Sequence, residues 1–156
     1  MSKNVLVIKG TDFSVNAIDK VVYNYFPSNI NWVDGYYITA QGQVTENTFD
    51  TFSSSYSSII DTLKANTTYT IKIKPSNRHG MTFARVHLYD DSGNWIKQLS
   101  VKDNSKQDVY LQFTTTSYTK IRLSVPYAPN SIFDYSYMKI LKGAYDATNW
   151  GLSNLN

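Results

Sequence analysis

Between residues 68 and 125 the chain alternates apolar and polar side chains with a period of two. In Thr68-Tyr-Thr-Ile-Lys-Ile-Lys74, Tyr69, Ile71 and Ile73 share one face, and Thr70, Lys72 and Lys74 share the other. Val109, Leu111 and Phe113 repeat the pattern, as do Ile121, Leu123 and Val125. Successive side chains of a strand point to opposite faces, so this spacing predicts half-buried antiparallel strands. Several such strands separated by short polar turns predict a β-sandwich or barrel. A scaffold of this kind binds or assembles, and catalysis on it needs separate support.

Composition narrows the choice further. A chain of 156 residues fits one domain with a real core. Charged residues make up 17%, below the usual share of roughly 25%, while 13 tyrosines lift the aromatic share to 15%. Tyr joins an apolar ring to a polar tip, so it suits strands, interfaces and sugar faces alike. Glu46 is the only glutamate, and the abundant Thr, Ser and Asn disfavour helices. A net charge of +3 without a basic run argues against a nucleic-acid partner. The absence of cysteine removes disulfides, thiol catalysis and thiolate zinc sites. The apolar run Val5-Leu-Val-Ile8 is too short for a signal segment or a membrane span, so neither general export nor a membrane partner is expected.

Residues 4–9 read as a short edge or docking strand. Ile18, Val21, Val22 and Tyr25 fall at i, i+3, i+4 and i+7, which predicts one short N-terminal helix capped by Asp12 or Ser14 and stopped by Pro27. Residues 36–40 and 43–45 predict a tight hairpin around Gln41-Gly42. The serine-rich stretch 49–58 reads as a loop, with a strand returning over 56–63. Strands are expected at 67–74, 83–89, 94–99, 109–114, 119–125 and 135–141. Asp90-Asp-Ser-Gly93 turns the clearest hairpin, residues 75–80 and 102–107 are loops, and Pro126 and Pro129 break the pattern. The organisation that follows is a possible docking segment at 1–30, a sandwich at 31–146 and a polar tail at 147–156.

Reaction chemistry is thin in this sequence. His79 and His87 stand eight apart with no thiol to join them, a weak zinc pattern. Asp90-Asp91 lacks the carboxylate density of a calcium loop. Glycoside hydrolysis needs two carboxyl groups across a cleft, and no pairing is legible. Nucleophile and phosphate-loop motifs are missing. No cofactor is called for and the chain does not read as an enzyme. Binding is better supported. On the strand at 83–89, Ala84, Val86 and Leu88 point one way, and Phe83, Arg85, His87 and Tyr89 the other. If the aliphatic set faces the core, Arg85, His87 and Tyr89 form an aromatic and basic stripe that suits a glycan. The opposite placement, with Phe83 and Tyr89 in the core, stays open. Trp95 and Trp32 are further candidates, although Trp95 follows a turn and such a residue more often pads a hairpin.

The order of landmarks carries a likeness. Gly35-Tyr-Tyr-Ile38, a Gly-containing turn and Val44 are followed by Tyr56-Ser-Ser-Ile59, Asn66-Thr-Thr-Tyr-Thr-Ile71 and Leu88-Tyr-Asp-Asp-Ser-Gly-Asn-Trp-Ile96. Phe113-Thr-Thr-Thr116, Ile121-Arg-Leu-Ser124 and Met138-Lys-Ile-Leu-Lys-Gly-Ala-Tyr-Asp-Ala-Thr148 complete the series. Over residues 35–150 this resembles the carbohydrate-binding-module-like jelly rolls of bacteriophage tail, baseplate and fibre proteins. Val5-Leu-Val-Ile-Lys-Gly-Thr-Asp-Phe-Ser14 is similar to the opening of structural proteins from phages of gut Bacteroidota. The resemblance implies an all-β jelly-roll β-sandwich located in the virion. Other virion proteins of capsid or tail would be its partners, with host glycans and further copies of the chain as additional ones. Lys139 or Leu141 and Lys142 stand where the family often carries a Gln and a Glu, which puts in doubt any site built on that acid. A stand-alone carbohydrate-binding module is the alternative, and a small glycan-active enzyme a third reading.

Overall fold

The computed structural model describes residues 23–73, 83–103, 107–129, 135 and 138–151. These hold ten strands: β1 (Trp32–Asp34), β2 (Tyr36–Ile38), β3 (Val44–Glu46), β4 (Ser53–Ser57), β5 (Thr68–Ile73), β6 (Phe83–Tyr89), β7 (Trp95–Asp103), β8 (Val109–Thr114), β9 (Lys120–Tyr127) and β10 (Lys139–Lys142). One antiparallel sheet runs β1-β4-β9-β6-β7, a second runs β10-β5-β8, and β2 and β3 form a separate hairpin. The expected strand at 4–9, the body of the expected helix, and the loop at 75–80 with His79 lie outside the described residues.

The two larger sheets face each other as the alternation predicts. Tyr69, Ile71 and Ile73 of β5, Val109, Leu111 and Phe113 of β8, and Ile140 of β10 meet Ala84, Val86 and Leu88 of β6 and Ile121, Leu123 and Val125 of β9. All are buried, and each large side chain so buried contributes roughly 1.5–3 kcal/mol. The chain is therefore all-β, a sandwich with one core between its sheets.

Both outer faces are covered as well. On β5 the Thr70 hydroxyl donates to Gly143 O (2.8 Å) and accepts from Tyr145 N (2.9 Å). This ties the C-terminal segment over the smaller sheet. Trp150 then packs edge-on against Tyr110 and Tyr145, at 5.6 and 5.8 Å between centroids. The expected tail at 147–156 is thus packed down as far as buried Trp150. The larger sheet is covered by the β2–β3 hairpin. Its loop is closed by Thr39 N donating to Gln43 O (2.9 Å) and Gly42 N donating to Thr39 O (3.0 Å). The connection is longer than the two-residue turn expected at Gln41-Gly42, because the Thr39 hydroxyl also accepts from Gln41 N and Gln43 N.

Three expectations need correction. The helix does not reach Tyr25: residues 23–25 are irregular. Tyr25 N donates to Ile140 O (2.9 Å), and Asn24 Oδ1 accepts from Ile140 N (3.0 Å), so this segment finishes the open edge of β10 instead. The serine stretch is a strand, β4, between β1 and β9. Its hydroxyls make it possible: Ser54 Oγ donates to Tyr36 O (3.1 Å) and Ser57 Oγ accepts from Leu123 N (2.9 Å). Finally, β9 continues through Pro126 to Tyr127. Its pairing with β6 ends at Ser124, so the missing proline N–H is not needed on that side.

Candidate functional site

The four residues expected to contact a glycan do meet on one face, but that face is roofed. Arg85, His87 and Tyr89 point to the outer side of the larger sheet, with Trp95 of β7 opposite Tyr89. His87 is 0% exposed and Tyr89 4%. The expected open stripe is corrected accordingly: the β2–β3 hairpin lies over it. Arg85 Nη1 donates to Ile38 O (3.1 Å), and Ile38 N donates to Ser124 Oγ (3.0 Å). A Cβ placed on Gly42 would lie 2.2 Å from the Trp95 ring, so the hairpin tip rests directly on the indole. Trp95 therefore pads a hairpin, though β2–β3 rather than its own.

The electrostatics of this face follow from its burial. Trp95 Nε1 donates to His87 Nδ1 (3.2 Å). Desolvation and the neighbouring Arg85 charge push the His87 pKa down to about 4. Burial raises the Tyr89 pKa against the opposing pull of Arg122, whose guanidinium sits 5.1 Å from the Tyr89 ring centroid and 5.8 Å from that of Tyr56. Burial also lowers the Arg85 pKa. The acidic turn has a structural role: Asp90 accepts from Asn94 N (2.8 Å) and Asn94 Nδ2 (3.0 Å), which holds its carboxyl below the usual range. Among the described residues no three His, Cys, Asp or Glu side chains group as a metal site.

A second constellation is open to solvent. Residues 24–30 approach Trp32, Tyr135 and Met138 and enclose a pocket of about 350 Å³, walled by Phe26, Pro27, Ile30, Trp32, Tyr135 and Met138. Trp32 and Tyr135 stack with centroids 4.3 Å apart and planes 4° from parallel, and Phe26 lies 6.4 Å beyond Trp32. Asn24 and Ser28 supply polar groups at the rim. Tyr135 joins this pocket to a polar cluster. Its hydroxyl donates to Asp34 Oδ1 (2.9 Å) and lies 3.1 Å from Ser55 Oγ. Ser55 Oγ also donates to Asp34 Oδ1, and Tyr127 OH approaches the same oxygen at 3.5 Å. Burial, with the Asp34 charge adding to it, raises the pKa of Tyr135 strongly, so the phenol stays protonated and donating. Asp34 itself is exposed to solvent.

This arrangement can bind a polar ring: flat apolar walls, hydroxyls and an amide, with the Asp34 carboxylate behind the Tyr135 hydroxyl. The Ser55 hydroxyl beside the Asp34 carboxylate is itself fully buried. Sequence reasoning named Trp32 but missed Tyr135 and Asp34, which lie 101 positions apart and share no local pattern. Compared with known proteins, the chain matches no family model, no curated protein and no solved structure.

Proposed function

We propose that the chain is a bacteriophage virion structural protein whose sandwich is a jelly roll, serving in assembly as an auxiliary or fibre subunit and in adhesion to host glycans. The observation that carries the adhesive reading is the aromatic pocket at Trp32 and Tyr135, backed by Asp34. Sugar rings offer apolar C–H faces to aromatic walls and hydroxyls to a carboxylate. The jelly-roll reading is supported by the connectivity. The chain crosses between sheets from β4 to β5 to β6, and again from β7 through β8 and β9 to β10, a pattern suited to interlocked Greek keys. The virion reading rests on the ordered motifs over residues 35–150. One exposed carboxylate beside the pocket suits binding better than hydrolysis, which calls for two.

A glycan array probed with the intact chain and with Trp32→Ala tests the adhesive part. Retention on at least one bacterial polysaccharide is expected, weakened about tenfold or more in the variant, equivalent to ~1.4 kcal/mol. A silent array, or a variant that binds as well as the parent, removes the pocket from the reading. A stand-alone carbohydrate-binding module would use the same pocket, and finding the chain in purified particles separates the two.

A further inference from the structure

We propose that the roofed face of the larger sheet contains a subsite for one neutral hydroxyl group, formed by His87, Gln98 and Arg122 beneath the β2–β3 hairpin. It is separate from the Trp32 pocket and does not depend on it. Register places the three residues side by side: His87 of β6 is directly opposite Gln98 on β7 and Arg122 on β9. Directly opposed residues of antiparallel strands point to the same face. His87 Nε2, Gln98 Oε1 and Arg122 Nε are all buried without a hydrogen-bond partner among the described residues. A buried polar atom left unpaired forfeits its hydration without replacement, and three in one row point to a shared occupant.

Their chemistry sets what that occupant is. Because Nδ1 of His87 accepts the Trp95 indole proton and the imidazole is neutral at pH 7, Nε2 carries the proton and donates. Arg122 Nε donates as well, whereas Gln98 Oε1 accepts. Two donors and one acceptor match a hydroxyl oxygen, which accepts twice and donates once. A phosphate or carboxylate would face the Gln98 oxygen with nothing to give it, and a metal ion would meet two N–H groups. The hydroxyl can belong to a trapped water or to a sugar. Entry for a sugar requires the hairpin to lift. Two strands of three residues each are marginal alone, and the contacts at Arg85, Ser124 and Trp95 hold them down.

The test is NMR on the ¹⁵N-labelled full chain at pH 7. The imidazole of His87 is expected as the Nε2–H tautomer. A magnetisation-transfer peak from that proton to a long-lived water identifies water as the source. A saturable shift of the His87 Nε2–H and Trp95 indole protons on adding galactose, glucose or mannose identifies a sugar. Gln98→Met, at a half-exposed position, is expected to abolish whichever signal is seen while the sheet resonances persist. The Nδ1–H tautomer, the lack of both signals in the parent chain, or a signal unchanged in Gln98→Met would each overturn the subsite.

Discussion

Gly42 and His87 show how single positions hold the roof on the larger sheet. Gly42 has φ +81° and its Cα faces the Trp95 ring. Gly42→Ala therefore meets both a backbone penalty and a direct clash. A loss on the order of 1–3 kcal/mol in urea unfolding is expected, with the β2–β3 amides showing the largest gain in hydrogen exchange. His87 makes the fold acid-sensitive. Its folded pKa, about 4, lies below an unfolded value near ~6.5, so between those values the unfolded chain binds the extra proton. Stability from this group is complete above roughly pH 6.5 and is lost as pH falls toward 4, by on the order of 3 kcal/mol. Arg85 and Arg122 face the same imidazole, so protonation there also meets like charge. Unfolding midpoints at pH 7 and 4.5 should differ in the parent chain and converge in His87→Gln. Equal acid sensitivity in both proteins would contradict this assignment. That His87 would face away from Ala84, Val86 and Leu88 was legible from alternation alone. That it would be covered was not, since the hairpin meets it from about 50 residues away.

At the scale of elements, β4 departs most from local preference. Serine competes for backbone hydrogen bonds and favours turns, which is why 49–58 reads as a loop. In the fold those hydroxyls do work the ladder cannot. The β4–β9 register runs to Tyr56 opposite Ser124, then resumes one residue out of step at the Ile60–Ile121 bridge. At the slip, the Leu123 amide donates to the Ser57 hydroxyl. Ser57→Ala leaves that buried N–H unpaired and is expected to cost about 1–3 kcal/mol, read as a lower urea midpoint; an unchanged midpoint would contradict the role given to Ser57. The strands β5, β6, β8 and β9 were readable because each alternates and flanks the single core. The segment at 23–30 was not. Its helical spacing competes with the open edge of β10, and Asn24 and Tyr25 satisfy that edge through their own polar atoms.

For the whole molecule, the described part of the expected docking segment belongs to the sandwich. Tyr25, Phe26 and Ile30 pack against the core, and Tyr25 meets Tyr69 edge-on at 5.0 Å. These residues are therefore part of the sandwich's own packing. Tyr25→Ala together with Phe26→Ala is therefore expected to lower the urea midpoint of the sandwich. An unchanged midpoint would contradict the packing role given to this segment. The proposed role is to hold glycans at this surface without transforming them. Its most direct measurement is a single incubation of the intact chain with purified host polysaccharides, reading protein depletion from solution and new reducing ends together. Depletion by at least one polymer, reduced in Trp32→Ala, with no new ends is expected. Depletion by none of them, or shortened chains released by the parent protein, would contradict it.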